Sequence, residues 1–262
     1  MFPYSDADVH HGTFPYVNVV LIGICALVFL YQISLGGVGF LGGGGGIEAR
    51  VFFLTWGFIP EELIRGEPYT AFAAGAITRS IETPVPTWVT IFSSMFMHGG
   101  WFHILGNMWF LWVFGDNVED VMGRLRFAVF YLICGLAAAF AQIVTDPSSI
   151  TPMVGASGAI GGVMGAYAFL FPRIRVNTFI FLGFYMTTVA IPAVFMLGYW
   201  FLLQLLGALP ALTQNSAGGV AFWAHIGGFL AGIVLVKLFV NDRYLAQHRR
   251  HTRRLVSRHR LG

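Results

Sequence analysis

Charge is scarce in this chain. Of its 262 residues, 15 are Lys or Arg and 12 are Asp or Glu, 10% together, against 56% hydrophobic residues and a mean hydropathy of +0.72. A soluble domain carries about 25% charged residues, so this composition excludes a surface wetted on all sides. Cysteine is scarcer still. Cys25 and Cys134 both fall inside long apolar runs, where a thiol packs as a small hydrophobe, so no disulfide is expected. The first apolar run lacks a basic n-region and an A-x-A-like cleavage site, and it exceeds the roughly 7–15 residues of a signal-peptide core. It is expected to be retained as a helix. No internal repeat is visible.

What the chain has in quantity is long apolar runs. A helix needs roughly 20 residues to cross the hydrocarbon core, and runs of that order lie near 16–35, 101–118, 125–145, 154–171, 191–209 and 221–240. The expectation is an all-α membrane protein with a short N-terminal segment 1–15, a six-helix membrane core over 16–240 and a polybasic tail 241–262. Short cytoplasmic loops collect Lys and Arg. Arg124 and Arg126 follow the second run, Arg173 and Arg175 follow the fourth, and a series from Lys237 to Arg260 follows the sixth, whereas 146–153 and 210–220 hold no basic residue. Both termini are therefore expected on the cytoplasmic side of the plasma membrane, with runs two, four and six directed inward. Arg50, Arg65 and Arg79 lie in the connection 36–100, which is too long for the rule to govern.

That connection opens with a glycine cluster and becomes amphipathic in "EARVFFLTWGFIPEELIRGE", where Pro60 followed by Glu61 and Glu62 marks a short-helix start. Loops this long are usually functional, and this one is expected to lie on or dip into the outer interface. Residues 176–190, "VNTFIFLGFYMTTVA", are expected as an interfacial approach to the fifth helix, with Pro192 as the break. The basic tail should rest on anionic lipid headgroups, each basic residue contributing about 1 kcal/mol near the surface. Nucleic acid is not an expected partner, because the patch adjoins a span.

Ionisable and strongly polar groups cost roughly 2.5 kcal/mol or more inside a bilayer and mark function by default. Here they are His103 and Asn107 in run two, Ser157 in run four, Gln204 in run five and His225 in run six. At 1.5 Å of rise per residue, His103, Asn107, Ser157 and His225 all sit shallow from the outer face. The orientation came from arginines and the depth from apolar boundaries, so their agreement points to one site. Ser157, Gly161 and Gly165 share one helical stripe, and His225, Gly228 and Gly232 share another. Small residues, with Gly155 and Gly158 beside the serine, let helix backbones approach closely in lipid.

Taken singly, each residue has an ordinary reading: a back-bonded serine, a glycine packing stripe, a histidine relaying protons or ligating zinc. The conjunction matches acyl transfer better. Serine becomes a nucleophile when a histidine takes its proton, and the oxyanion formed at an amide carbonyl needs donors, which Asn107, His103 and the Ser157 backbone N–H can supply. No Asp or Glu shares their depth, so the expected unit is a Ser157–His225 dyad, without metal or cofactor.

These residues lie in "MHGGWFHILGNMWFLWVFGDNVED" (97–120), "GASGAIGGVMGAY" (155–167) and "AHIGGFLAG" (224–232), and over roughly 90–240 the chain resembles the rhomboid intramembrane serine proteases. The resemblance implies a six-transmembrane-helix rhomboid-type bundle with a long interfacial first loop. It makes Ser157 the nucleophile, His225 its base, and His103 and Asn107 the oxyanion donors, with His98 a nearby polar residue at the helix mouth. It implies that transmembrane segments of other membrane proteins are the substrates, and that "LPALTQNSAGGVAF" (209–222) caps the site. Phe195, Tyr199, Trp200 and Phe201 on the fifth helix are candidates for a lateral entrance. Two departures stand out: Trp88 is followed by Val89 where many members have Arg, and Gly161 stands where some place an aromatic ring against the base. The competing expectations are an inactive rhomboid-like protein that binds client helices, and a small transporter, which would need charged residues at mid-bilayer and paired broken helices.

Overall fold

The computed structural model describes residues 2–7, 12–36, 39, 45–74, 77–183, 185–210 and 220–259. The chain begins with a strand, β1 (Phe2–Asp6), and a helix, α1 (Tyr16–Ser34), followed by two short helices, α2 (Ile47–Trp56) and α3 (Pro60–Arg65). A two-stranded hairpin, β2 (Ala71–Ala74) with β3 (Ile77–Ser80), and a single turn of helix, α4 (Thr90–Ser94), lead into α5 (Trp101–Met122) and α6 (Arg124–Thr145). Then come α7 (Ser157–Leu170), a second hairpin formed by β4 (Arg175–Leu182) and β5 (Tyr185–Pro192), and three helices: α8 (Ala193–Ala208), α9 (Phe222–Phe239) and α10 (Asp242–His259).

Helices occupy all six apolar runs, with boundaries close to those expected. Three of them, α1, α6 and α9, are long and apolar enough to cross a membrane. The apolar α7 and α8 are shorter, at 14 and 16 residues, and α5 carries Asp116, Glu119 and Asp120 in its last two turns.

The centre of the bundle is α7, in which Gly158 through Tyr167 are all buried. A helix buried on every side must be apolar all round, and this one is. It packs most closely on α9, then on α6 and α5. Glycine sets the spacing: a Cβ built on Gly228 or Gly232 would lie far inside contact distance of the carbonyl oxygen of Gly158 or Gly162, and one on Gly161 would lie 3.1 Å from the His225 carbonyl. Gly158 and Gly162 also face α6, against Ala138 and Cys134. Close backbone contact is how helices associate where no hydrophobic drive separates protein from solvent. Cys25 and Cys134 are buried free thiols.

The fold is not all-α. Residues 176–190, expected as an interfacial approach, lie within an antiparallel hairpin of β4 and β5 that turns at Gly183 (φ +63°), and β1 adds to it in the order β1-β4-β5. The segment is rich in β-branched and aromatic residues, and Val176 and Thr178 are buried while Phe179 and Phe181 are exposed, the period-2 pattern of a half-covered sheet. Its third strand comes from residues 2–6, more than 170 positions away, so pattern within the segment gave no hint of it.

In the connection 36–100, α3 starts at Pro60 as expected and ends at Gly66 (φ +75°), whose N–H bonds the Glu62 carbonyl at 2.9 Å. Glu62 is buried and accepts the Tyr69 N–H at 2.7 Å; burial raises its carboxyl above the usual carboxylate range, with the Tyr69 N–H and Arg65 pulling the other way. Most of the glycine cluster (37–38 and 40–44) and residues 211–219 of the expected cap lie outside the described residues.

At the end of the bundle remote from Ser157, α10 docks through buried His248, whose Nδ1 donates to Asp120 Oδ2 at 2.9 Å. Asp120 also accepts the Thr13 hydroxyl and the Gly12 N–H, and Glu119 accepts the N–H groups of Val17 and Asn18 at 3.0 and 2.8 Å. Glu119 thereby caps α1, which has no side-chain cap of its own.

Candidate active site

Gly155 shapes the entry to α7. Its φ of +127° is a conformation that side chains rarely adopt, and its N–H is held by the Ser94 carbonyl at 2.9 Å. The turn delivers Ser157 as the first residue of the helix, after Ala156 at the N-cap. Backbone N–H groups of a first turn have no partner four residues back, so the serine's own amide is available.

His225 stands in the first turn of α9, and the glycine contacts between α7 and α9 bring its ring against the serine. Its Nε2 lies 2.8 Å from Ser157 Oγ, and its Nδ1 lies 2.8 Å from Gln204 Oε1 on α8. Trp200, one turn earlier on α8, packs its ring at 5.9 Å and 38° from the imidazole, and Phe222 meets it edge-on at 6.4 Å. Gly161 leaves no room for an aromatic at that position, because the His225 backbone occupies it. The flank of the imidazole is covered from α8 instead.

His103 and Asn107 approach Gly155 from α5. A Cβ on Gly155 would lie 2.5 Å from His103 Nε2 and 3.5 Å from Asn107 Nδ2. The Gly99 N–H donates to His103 Nδ1 at 3.3 Å, so in the neutral ring the proton sits on Nε2, the nitrogen turned toward Gly155. Asn107 Nδ2 is buried with no hydrogen-bond partner among the described residues. Two donors thus converge on Gly155, two residues before Ser157.

His98 is fully buried. Its ring meets His103 edge-on at 5.2 Å, and Gln32 of α1 clamps its backbone, accepting from the N–H at 3.1 Å and donating to the carbonyl at 3.0 Å. It supports the His103 ring from behind. Beside Ser157 opens a cavity of about 50 Å³, lined by Phe58, Ile91, Gly135, Ala138, Met153 and Ala224 among others. Of the aromatics on α8, Trp200 and Phe201 turn inward, Phe201 stacking on Phe229 at 4.8 Å, while Phe195 and Tyr199 are exposed.

Gln204 is the participant that sequence reasoning left without a role. The signal was present: α8 runs toward the Ser157 end, and a glutamine four residues from its end shares the depth of His225. Its direction, toward α9 rather than lipid, required the packing.

A Rhomboid domain model matches residues 85–242, which contain every residue of this site except Phe58 and Gln32. The chain is 27% identical over 204 residues to "Rhomboid protein 1, mitochondrial" of Saccharomyces cerevisiae, covering 72% of this chain and 50% of that protein. It is 29% identical over 178 residues to "RHOMBOID-like protein 5" of Arabidopsis thaliana, covering 68% and 52%. Against "Presenilin-associated rhomboid-like protein, mitochondrial" of Homo sapiens the identity is 30% over 149 residues, covering 53% and 35%. The chain therefore spans about half the length of the first two relatives and about a third of the last.

Proposed function

This chain belongs to the rhomboid family of multi-pass membrane proteins, and from that premise we propose that it is an intramembrane serine endopeptidase, hydrolysing peptide bonds in or beside transmembrane segments of other proteins. The observation that carries this reading is the 2.8 Å contact between Ser157 Oγ and His225 Nε2. Ser157 Oγ attacks the carbonyl carbon as its proton passes to His225 Nε2. The oxyanion is received by Asn107 Nδ2, His103 Nε2–H and the Ser157 N–H. The tetrahedral adduct collapses, the leaving amine takes the proton from His225, and water, deprotonated by the same nitrogen, releases the acyl group and restores the serine.

A substrate helix must unwind to offer its carbonyl, so helix-breaking residues near the scissile bond favour cleavage. The small cavity at Ser157 favours a small side chain there. Six helices span the membrane in this reading, including the shorter α7 and α8, with the loop 36–100 at the outer interface and the site near the outer face. The termini lie in the cytoplasm, the membrane is the plasma membrane, and α10 rests its arginines on anionic lipid. Reporter fusions at either terminus that become active only outside the cytoplasm would overturn that orientation.

A covalent acyl- or phosphonyl-type serine reagent, applied to detergent-purified protein, tests the chemistry. Labelling of the wild type and its loss in Ser157→Ala are expected, together with cleavage of a single-span substrate by the wild type alone. Equal labelling of both, or cleavage that persists in Ser157→Ala and His225→Ala, overturns it. A chain that binds the substrate but neither labels nor cuts is an inactive client-binding member.

A further inference from the structure

We propose that Gln204 is a positioning residue for His225, so that the reacting unit is a neutral Ser–His–Gln relay built across α7, α9 and α8 rather than a dyad. The inference rests on the proteolytic reading above, but its geometric basis stands apart from it.

The hydrogen-bond network fixes every role. Gln204 Nε2 lies 3.2 Å from the Trp200 carbonyl, one turn back on α8. A carbonyl only accepts, so this nitrogen must be the donor, which orients the amide and leaves Oε1 facing His225. Oε1 can only accept in turn. His225 Nδ1, 2.8 Å away, must therefore carry its proton, and in the neutral ring Nε2 must then be bare. Nε2 is the nitrogen 2.8 Å from Ser157 Oγ, and bare is the state a base requires there. An imidazole without this partner divides between two tautomers, one of which presents N–H to the serine and cannot take its proton.

A carboxylate would orient the ring as well, and would stabilise the imidazolium more. It would also place a charge inside a bundle that faces lipid, at a cost of several kcal/mol. A buried amide supplies orientation without that penalty. It is satisfied on both sides, Nε2 by Trp200 and Oε1 by His225, which is what a buried polar group needs. The Trp200 ring holds the imidazole from the same helix, so α8 furnishes both the covering surface and the acceptor.

Gln204 also links the chemistry to the position of α8. That helix packs on the bundle through Met196, Leu197, Trp200, Phe201, Gln204 and Ala208, while Leu202, Leu203, Leu205 and Leu206 are exposed. A hydrogen bond at 2.8 Å does not survive a displacement of an ångström or more. Any substrate that pushes α8 outward thus releases His225 from its tautomer lock until the helix returns.

The test pairs kinetics with a direct reading of the tautomer. Gln204→Met keeps the shape and removes the acceptor; Gln204→Glu keeps the acceptor and adds a charge. Replacement of a charged orienting carboxylate in a serine protease costs about 10⁴ in kcat. For a neutral amide we expect a smaller loss in Gln204→Met, roughly 10- to 100-fold in kcat, with KM unchanged. Gln204→Glu should recover most of that rate and move the acid limb of the kcat/KM profile to higher pH, because a carboxylate favours the imidazolium. In protein labelled with ¹⁵N-histidine, the His225 signals should report a protonated Nδ1 in wild type and a tautomer mixture in Gln204→Met. A Gln204→Met variant with wild-type kcat and pH profile overturns the proposal. So does an unprotonated Nδ1 in the wild type, whether or not the protein cleaves anything. Failure of the wild type to cleave, with Nδ1 protonated, instead counts against the proteolytic reading and leaves the positioning role standing.

Discussion

The two ends of the bundle bury polar groups in opposite ways. Remote from Ser157, the carboxylates are saturated: Glu119 takes two backbone N–H groups of α1, and Asp120 takes donors from Gly12, Thr13 and His248. Around Ser157 the groups are neutral, and several atoms are left open: Asn107 Nδ2 and both ring nitrogens of His98 have no partner among the described residues. A saturated carboxylate offers a newcomer no capacity and contributes to the fold. A buried donor without an acceptor costs about 1–3 kcal/mol, a cost the fold carries when the acceptor arrives with a ligand. An open atom alone does not mark a site, because both side-chain atoms of Asn18 at the remote end also lack a partner among the described residues; mutation should separate the carboxylates that hold helices together from the donors that face Ser157.

The sharpest break is Asn107→Ala. On the proteolytic reading proposed above it removes one oxyanion donor, which costs about 10²–10³ in kcat, or roughly 2.7–4 kcal/mol of transition-state stabilisation. Because the amide nitrogen has no partner to lose and its burial is itself a cost, thermal stability in detergent should hold or rise; a large drop in stability would place Asn107 with the structural groups. Gly228→Ala comes next and should blur the comparison. Its Cβ collides with the Gly158 carbonyl, so α7 and α9 must part, costing about 1–3 kcal/mol of stability. A separation of about 1 Å at the Ser157–His225 contact should lower kcat by about 10².

Glu119→Ala tests the other end. It strands the N–H groups of part-buried Val17 and buried Asn18 and should cost roughly 1–3 kcal/mol while leaving cleavage per folded molecule unchanged. Maleimide capture of the buried thiols Cys25 and Cys134 during denaturation gives the readout. The smallest effect is expected for Thr13→Val. Asp120 keeps its bonds to Gly12 and His248, and the Thr13 contact is exposed, so the loss should stay near 0.5 kcal/mol. A loss as large as that of Glu119→Ala would mean that the N-terminal segment is held by Thr13 alone.

Much of this arrangement is legible in the residues. The six helix positions follow from apolar runs, the start of α3 from Pro60, and the common level of Ser157, His225, His103 and Asn107 from counting residues along those runs. The glycine stripes at Gly161 and Gly165, and at Gly228 and Gly232, name the faces that meet, since residues three and four apart share a helix face. The sheet was not legible, because β1 and β4 are joined by no local pattern. The burial of His98 was not either: it depends on Gln32, 66 residues earlier and in another helix.

What the chain's residues settle unaided is solvent and period: too little charge to be wetted, and apolar runs of helical length. Both are properties of short stretches and need no knowledge of neighbours. What only the tertiary structure decided is direction. Gln204 toward His225, Trp200 over its ring, Gly99 setting the His103 tautomer and Glu119 capping a helix a hundred residues away each depend on how α5, α7, α8 and α9 are rotated about their axes. Rotation is fixed by packing among all the helices at once, and a hydrogen bond, being directional over a few tenths of an ångström, exists only after that packing is complete.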